Sequence, residues 1–441
     1  MELRDVVVTP VIILLVLFLA FFSRHWFTDQ QTRSFFIPAL VLKIFGAISV
    51  GIIYQFYYQG GDTYMYHEGS RVIWQAIWES PTQGILLFFR RAFEYDGVYK
   101  YASQIYFFRD PPSLVIVKIS AFFDLFTFSA YSATAVLFAV FSFAGMWSLF
   151  MVFYRQYPHL QKELAWCTLF IPSVFFWGSG VLKDSIVIGC IGFSTYQFYV
   201  LFFEKRISVV NLLVLFASLY LIFCIKKFVL QAYLPAVIIW VMIKNLKTMR
   251  SVIVKLMFVP LLAMMMVYSI YFSIVKVGEG DERYSIDKIA ETAKITAYDI
   301  RYWTGREAGS GYSLGELDGS WQSMVKLAPQ AINVSLFRPY LWEVNNPLML
   351  LSALEGSFFL LFLIRILFRR RLKIFKAFSD PNVAFALAFS LAFAFAVGAS
   401  TFNFGTLSRY KIPLLPFFAV ALVLLDHSNK ERKVGVLEAT E

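Results

Sequence analysis

Residues 60–67, with the sequence GGDTYMYH, bring a carboxylate, two phenols and an imidazole together directly after a long apolar run. Asp62 is the candidate general base, because a positioned carboxylate can take the proton of an attacking hydroxyl. Tyr64 and Tyr66 offer apolar ring faces and hydroxyl groups that suit a sugar ring, although tyrosines also form aromatic belts at membrane interfaces. His67 is assigned to the same substrate-binding group, as a hydrogen-bonding neighbour rather than as the base.

Lysine and arginine side chains collect in short turns that we place on the same membrane face as Asp62. Short outer turns normally avoid these residues, so their presence indicates an anionic partner, such as a lipid-linked phosphate or diphosphate at the headgroup level. The simpler interpretation is that each charge only caps a helix or extends to the headgroups. The residues predicted to bind substrate in these turns are Lys183, Asp184, Lys226, Lys227, Arg409 and Lys411.

A carboxylate base and a set of cations together predict sugar transfer from a polyprenyl-phosphate carrier. The acceptor hydroxyl would attack the anomeric carbon, Asp62 would take its proton, and the cations would stabilise the departing lipid phosphate. No metal or other cofactor is predicted. Cys167, Cys190 and Cys224 lie in apolar segments, and the chain has only 4 histidines and no CxxC motif.

The composition defines the class of protein that must position these groups. Of the 441 residues, 59% are hydrophobic and 16% are charged, whereas soluble chains are about 45–50% apolar. Many windows exceed the roughly 18 apolar residues that indicate a membrane-spanning helix. We therefore predict an all-α polytopic membrane protein. Membrane topology accounts for the net charge of +11, so nucleic acid is not expected as a partner.

Length and polarity predict about 11 transmembrane helices. Their approximate ranges are 6–22, 35–58, 130–154, 164–180, 185–203, 207–224, 228–243, 251–275, 348–368, 382–400 and 413–427. Three basic residues inside these runs, Lys43, Lys255 and Arg365, are expected to extend their charged ends to the cytoplasmic headgroups.

The distribution of lysine and arginine sets the orientation, because cytoplasmic connections carry the excess of these residues. Basic clusters lie at 155–162, 205–206, 244–250, 369–376 and 430–433. All five clusters lie on the cytoplasmic side if the N-terminus and residues 59–129 and 276–347 lie outside. The predicted segments are two helices (1–58), an outer catalytic loop (59–129), a helical bundle (130–275), a large outer loop (276–347), C-terminal helices (348–427) and a cytoplasmic tail (428–441).

The two outer loops are expected to differ in character. The first should contain helices lying in the interface, over 71–78, 84–93 and 113–128. In the last of these, Ser113, Ser120, Asp124 and Thr127 form one polar stripe on an apolar helix. This helix could instead span the membrane, but a mid-membrane aspartate would cost about 2.5–3.5 kcal/mol. The second loop has one predicted helix, 286–302, and either binds the acceptor or covers the site.

These features resemble the GT-C superfamily of integral-membrane glycosyltransferases. The resemblance rests on Asp62 after an early span, interfacial helices over 70–128, an acid in the outer turn PSVFFWGSGVLKD and the lysines of the next outer turn. It implies that Asp62 is the catalytic base and that the basic turns hold the lipid phosphate. Two departures are the absence of a DxD or ExD pair around Asp62 and a catalytic loop that follows the second span instead of the first.

Two alternatives stay open from the sequence. The pattern G-x-D-x-x-x-Y around Asp62 and the late-loop arginines (Arg283, Arg301, Arg306 and Arg338) also resemble bacterial polysaccharide polymerases of the O-antigen or exopolysaccharide type, which join lipid-diphosphate-linked repeat units. A transporter or flippase for lipid-linked saccharides is the alternative from another class. The expected partners are a polyprenyl-linked sugar, a glycan or lipid acceptor, and membrane lipids. The resemblance implies a bacterial cytoplasmic membrane with the active site on its outer face.

Overall fold

The computed structural model describes residues 3–248, 289–300, 302, 310–315, 320–371 and 374–427. Within these ranges the secondary structure is helical, and the β-type pairing is limited to one isolated bridge between Gly311 and Asn403. The prediction of an all-α chain is therefore confirmed for the described part. Several long apolar helices also support a multi-pass membrane protein.

The helices are numbered in chain order. They are α1 (Leu3–Phe27), α2 (Arg33–Phe56), α3 (Asp62–Glu79), α4 (Pro81–Phe89), α5 (Tyr99–Ala102), α6 (Pro111–Thr127), α7 (Tyr131–Gln156), α8 (Gln161–Leu169), α9 (Pro172–Trp177), α10 (Lys183–Phe202), α11 (Val209–Ile225), α12 (Lys227–Thr248), α13 (Ile289–Ile300), α14 (Trp321–Lys326), α15 (Ala328–Phe337), α16 (Pro347–Arg370), α17 (Ile374–Ala377), α18 (Pro381–Thr401), α19 (Phe404–Tyr410) and α20 (Leu415–His427).

Among the described residues, 7 helices are long and apolar enough to cross a membrane. They are α1, α2, α7, α10, α12, α16 and α18. The helices α19 and α20 are long and apolar enough to cross a membrane only when they are taken together, and they are bent by 70° at the break between them. Counting this pair as one span raises the number to 8 at most. The predicted count of about 11 is therefore not confirmed.

The predicted spans that fail this test do so for separate reasons. Residues 164–180 form two short helices, because Pro172 starts the new helix α9 after a break at Phe170 and Ile171. Residues 207–224 correspond to α11, an apolar helix of 17 residues. The predicted span 413–427 is α20, which has 13 residues on its own. The prediction for 251–275 falls outside the described residues.

The chain divides into two compact units. The first contains residues 1–199 and 207–226, and the second contains 200–206 and 227–441. The chain passes between the units at three points, 199/200, 206/207 and 226/227, and all three fall within the segment predicted as one bundle, 130–275.

In the first unit, α1, α2 and α7 have their ends in register. Asp5 near the start of α1 accepts a hydrogen bond from the Ser132 amide at the start of α7, with 2.8 Å between Oδ1 and N. At the opposite end, the Tyr154 hydroxyl donates to Asp29 Oδ2 in the α1–α2 turn, at 2.7 Å. The end of α2 therefore lies beside the starts of α3 and α7. We call this the Asp62 end of the first unit.

The polar stripe of α6 faces inward. Ser113, Ser120, Asp124 and Thr127 are each at most 1% exposed, and α6 packs closely on α3. The two helices approach at Gly69, where an added Cβ would lie 3.2 Å from the Val117 methyl groups. Hydrogen bonds to Ser70 of α3 and Thr134 of α7 give partners to Ser120, Asp124 and Thr127, as burial in an apolar setting requires.

In the second unit, α18 packs against α12, α13, α15 and α20. Trp240 of α12 donates from Nε1 to Asn382 Oδ1 at 2.8 Å, so a buried polar pair helps to align α12 and α18. At the end of α16, Arg369 contacts Asp426 of α20 at 3.0 Å and Arg365 lies 3.7 Å from the same carboxylate. The ion pair explains the position of Arg365, whose expected role was contact with headgroups alone.

Candidate functional site

A glycine pair turns the chain from α2 into α3 and places Asp62 at the start of α3. Gly60 and Gly61 have φ values of +134° and +125°, in the region that favours glycine. A Cβ on Gly61 would also lie 2.9 Å from the ring of Tyr54. Asp62 is partly exposed in the first turn of α3, where the helix dipole stabilises a negative charge.

Tyr64 is held by two contacts at the Asp62 end. Its ring stacks on Tyr131, with 4.3 Å between centroids, and its hydroxyl lies 3.1 Å from the Gly51 carbonyl oxygen. Burial raises the pKa of Tyr64 to about 12, so the phenol stays protonated near neutral pH and can donate. Tyr131 is itself fixed by a 2.7 Å hydrogen bond with Thr63.

Tyr66 and His67 lie inside the protein. Tyr66 is 2% exposed and its ring contacts Phe107 at a centroid distance of 4.8 Å. His67 is 7% exposed and meets Tyr131 edge-on, at 5.4 Å between ring centroids. This placement favours packing and positioning for both residues over the direct contact with substrate that the sequence led us to expect.

Two other tyrosines have exposed rings next to the glycine turn. Tyr57 and Tyr58 are 56% and 45% exposed and lie with ring centroids 5.0 Å apart. Tyr58 also packs on Tyr54, which contacts Trp177 of α9. Sequence reasoning missed these rings because they read as the last residues of an apolar span. The signal that could have identified them is the run Tyr57-Tyr58, which is separated from the two glycines only by Gln59.

The predicted residues Asp184 and Lys226 form an ion pair with each other. The side chain of Asp184 is 0% exposed and that of Lys226 is 9% exposed. Lys183 next to them is partly exposed and lies 3.4 Å from Asp110 at the start of α6, whose side chain is 45% exposed. Lys183 is thus more accessible to a phosphate than Lys226, because solvent reaches both Lys183 and its partner Asp110.

The turn that carries Lys183 and Asp184 lies at the same end of the unit as Asp62. Trp177 packs edge-on against Tyr54 in the last turns of α2, with 6.5 Å between centroids. A Cβ on Gly180 would lie 2.8 Å from Val50. The structure therefore brings Asp62, Tyr64, Lys183, Asp184 and Lys226 to one end of the first unit.

Three predicted residues belong to the second unit. Lys227 is half-buried at the start of α12, and Arg409 lies over the ring of Tyr410 at 5.9 Å. Lys411 is only 1% exposed, between α19 and α20, and interacts electrostatically with the buried Glu355 of α16. Burial and this charge partner favour a structural role for Lys411 over phosphate binding.

Residues 310–312, from the second loop predicted to lie outside, dock on the turn before α19. The Ser310 carbonyl accepts from the Phe404 amide at 2.9 Å, and the Phe402 carbonyl accepts from the Tyr312 amide at 3.0 Å. Asn403 adds a side-chain bond to Ser310 Oγ at 3.0 Å. Residues 310–312 of the predicted loop 276–347 are therefore joined to the turn that precedes α19, the helix that contains Arg409.

Arg338 is enclosed by aromatic rings and an acid. Its guanidinium pairs with Glu343 and lies 5.8 Å from the centroid of Tyr312 and 5.3 Å from that of Phe404. Burial acts to raise the pKa of Glu343, but hydrogen bonds from Arg338 and the Tyr340 amide hold it below its usual value. Of the four late-loop arginines that suggested a polymerase, Arg338 is thus already paired, and the others lie outside the described residues.

Behind Tyr64 and His67 lies a buried carboxylate that sequence reasoning treated only as part of a polar stripe. Asp124 accepts hydrogen bonds from Ser70 and Thr134, both at 2.6 Å, and interacts electrostatically with His67. Burial raises the pKa of Asp124. Because Ser70 belongs to α3 and Thr134 to α7, Asp124 fixes the helix that begins with Asp62.

Within the described ranges, no group of three or more histidine, cysteine, aspartate or glutamate side chains is arranged to hold a metal ion. Comparison with models of known protein families, with curated proteins and with solved structures finds no match to this chain.

Proposed function

We propose that this chain is a membrane glycosyltransferase that moves a sugar from a polyprenyl-phosphate carrier to an acceptor hydroxyl, with Asp62 as the general base. The proposal rests on one observation above the others. A partly exposed carboxylate, held by a glycine turn, lies at the same end of a helical unit as a partly exposed lysine. A base and a cation on one face are the two charges that this transfer requires.

The proposed reaction assigns one role to each group. The acceptor oxygen attacks the anomeric carbon as Asp62 takes its proton, and the bond from that carbon to the phosphate oxygen breaks. Lys183 exchanges its contact with Asp110 for the departing phosphate, whose negative charge grows in the transition state. Tyr57 and Tyr58 supply exposed ring faces for the sugar.

The position of the site is proposed from the sequence. The basic clusters place the Asp62 end on the outer face, and the resemblance to GT-C transferases favours a bacterial cytoplasmic membrane and a role in assembling surface glycans. Tyr66, His67, Asp184 and Lys226 are proposed to support Asp62 and Lys183 from within the first unit.

The test is mass spectrometry of polyprenyl-linked glycans in cells that carry wild type, Asp62→Asn or Glu68→Gln. Glu68 is an exposed acid on the same helix and serves as the matched control. We expect a polyprenyl-phosphate monosaccharide to accumulate with Asp62→Asn alone. Loss of the favourable charge at the helix start should cost about 0.3–1 kcal/mol, so the variant should fold.

Two other results would change the conclusion. Accumulation of an oligosaccharide diphosphate would identify a polymerase that joins repeat units. An unchanged carrier pool, with the variant inserted at the wild-type level, would contradict sugar transfer and favour a transporter.

A further inference from the structure

Lys43 is a buried cation in the middle of α2. Its side chain is 2% exposed, and it lies about three turns from either end of the helix. The expectation that it would reach the cytoplasmic headgroups is therefore wrong. A lysine at this depth in a membrane helix is costly and needs compensating contacts within the protein.

Three oxygen atoms surround the Lys43 ammonium. The Ser142 hydroxyl oxygen lies 2.9 Å from Nζ, the Val174 carbonyl oxygen 3.1 Å and the Gly178 carbonyl oxygen 2.8 Å. An ammonium has three N–H donors, so each can be matched to one of these acceptors. All three partners are neutral, and no carboxylate of the described residues is hydrogen bonded to Lys43.

The two carbonyls belong to the broken part of the chain. Val174 lies in α9, a helix of 6 residues, and Gly178 is its C-cap. The Val174 carbonyl oxygen also accepts from the Gly178 amide at 3.2 Å, so Lys43 is its second donor. Gly178 lies at the C-terminal end of the helix, where carbonyl groups lack partners further along the helix and carry its partial negative charge. In membrane proteins with broken helices, such carbonyls coordinate monovalent cations directly.

The backbone of α9 is pressed against α2 next to this contact. A Cβ on Gly46 would lie 2.1 Å from the Phe175 carbonyl oxygen, one helical turn from Lys43. The ammonium thus acts at the point where the broken segment touches the bundle.

We propose that Ser142 Oγ and the carbonyl oxygens of Val174 and Gly178 form a monovalent-cation site, and that the chain occupies this site with its own Lys43 ammonium. The covalently held cation keeps α9 attached to α2 without any free ion. The proposal is independent of sugar transfer, because it concerns the stability of the broken segment.

The test compares Lys43→Ala with Lys43→Met in the full-length protein. Alanine leaves the oxygens in place and opens room for a small cation, whereas methionine fills most of that room without a charge. Thermal unfolding is followed by tryptophan fluorescence in detergent, in sodium, potassium, ammonium or choline chloride at equal ionic strength. Choline is too large for the site and controls for general salt effects.

We expect both variants to unfold at lower temperature than wild type. At least one small cation should raise the midpoint of Lys43→Ala by about 3 °C or more over choline, and leave Lys43→Met and wild type unchanged. If sodium or potassium raises the midpoint, the oxygens form an alkali-metal site, and if only ammonium does so, they form an ammonium site. Equal responses of both variants to all four salts would overturn the proposal.

Lys43→Met also decides the case in which Lys43→Ala yields no folded protein. If Lys43→Met unfolds at or above the wild-type midpoint, the three oxygens do not need a cation and the proposal fails. If it unfolds clearly below, the loss of the charge is costly although the volume is nearly kept, as the proposal requires.

Discussion

The buried pair Asp184–Lys226 should be far more sensitive to the loss of one partner than to the loss of both. The side chain of Asp184 is 0% exposed and that of Lys226 is 9% exposed, so neither charge can be screened by water when its partner is removed. Lys226→Met should therefore destabilise the protein by about 3–5 kcal/mol, the range for a buried pair with one member removed. At about 2–4 °C per kcal/mol, the unfolding midpoint should fall by on the order of 10 °C.

The double variant Asp184→Asn/Lys226→Met removes both charges and should recover most of that loss. The assay is thermal unfolding in detergent for wild type, the two single variants and the double variant, which form a double-mutant cycle. Lys183→Met is the matched control, because its pair with Asp110 is solvent-accessible and should be worth about 0–1 kcal/mol.

If the double variant loses as much stability as the two single variants together, this reasoning is refuted. Independent effects of that kind would mean that the two charges do not stabilise each other. A stable double variant would have a second use. Its activity would show whether the Asp184–Lys226 pair takes part in turnover, separately from the effect of the pair on folding.

Two further predictions concern packing inside the first unit. Because burial raises the pKa of Asp124, the folded protein binds a proton that the unfolded chain binds only at lower pH, so protonation stabilises wild type as pH falls. The midpoint of wild type minus that of Asp124→Asn should therefore rise as the pH falls toward 3.8, the ordinary pKa of an aspartate, and a constant difference would contradict the assignment. Gly145→Ala should lower the midpoint, because the new Cβ would lie 2.1 Å from the Gly189 carbonyl oxygen, at an overpacking cost of about 1–3 kcal/mol. An unchanged midpoint in the same assay would show that α7 and α10 can separate at no cost.

The long membrane helices could be predicted from the sequence, because an apolar run of sufficient length has few other solutions. The predicted ranges 35–58, 130–154 and 382–400 match α2, α7 and α18 closely. The break in 164–180 has one local signal, Pro172, but its composition stays apolar throughout, which led to the prediction of a single span. The contact that ties the broken segment to α2 could not be predicted, because Lys43 is 131 and 135 residues away from the two carbonyls to which it donates.

The residue types of the candidate site could be predicted, but their partners could not. Asp184 and Lys226 both read as ligand-binding groups, and nothing in a spacing of 42 residues indicates that they pair with each other. Similarly, the tyrosines of GGDTYMYH are defined by the sequence, whereas the burial of Tyr66 depends on how α3 meets Phe107. Local patterns identify helices and turns, and tertiary packing decides which side chains are left for a ligand.

The contact between Ser310 and Asn403 has a consequence for biosynthesis. The two residues are 93 positions apart, so the docking of residues 310–315 cannot occur until the turn at 402–404 has been made. At about 5–20 residues per second, this requires roughly 5–20 s of further translation. During that interval the late segment is exposed without its partner, and any chaperone or protease that monitors the nascent protein meets it in that state.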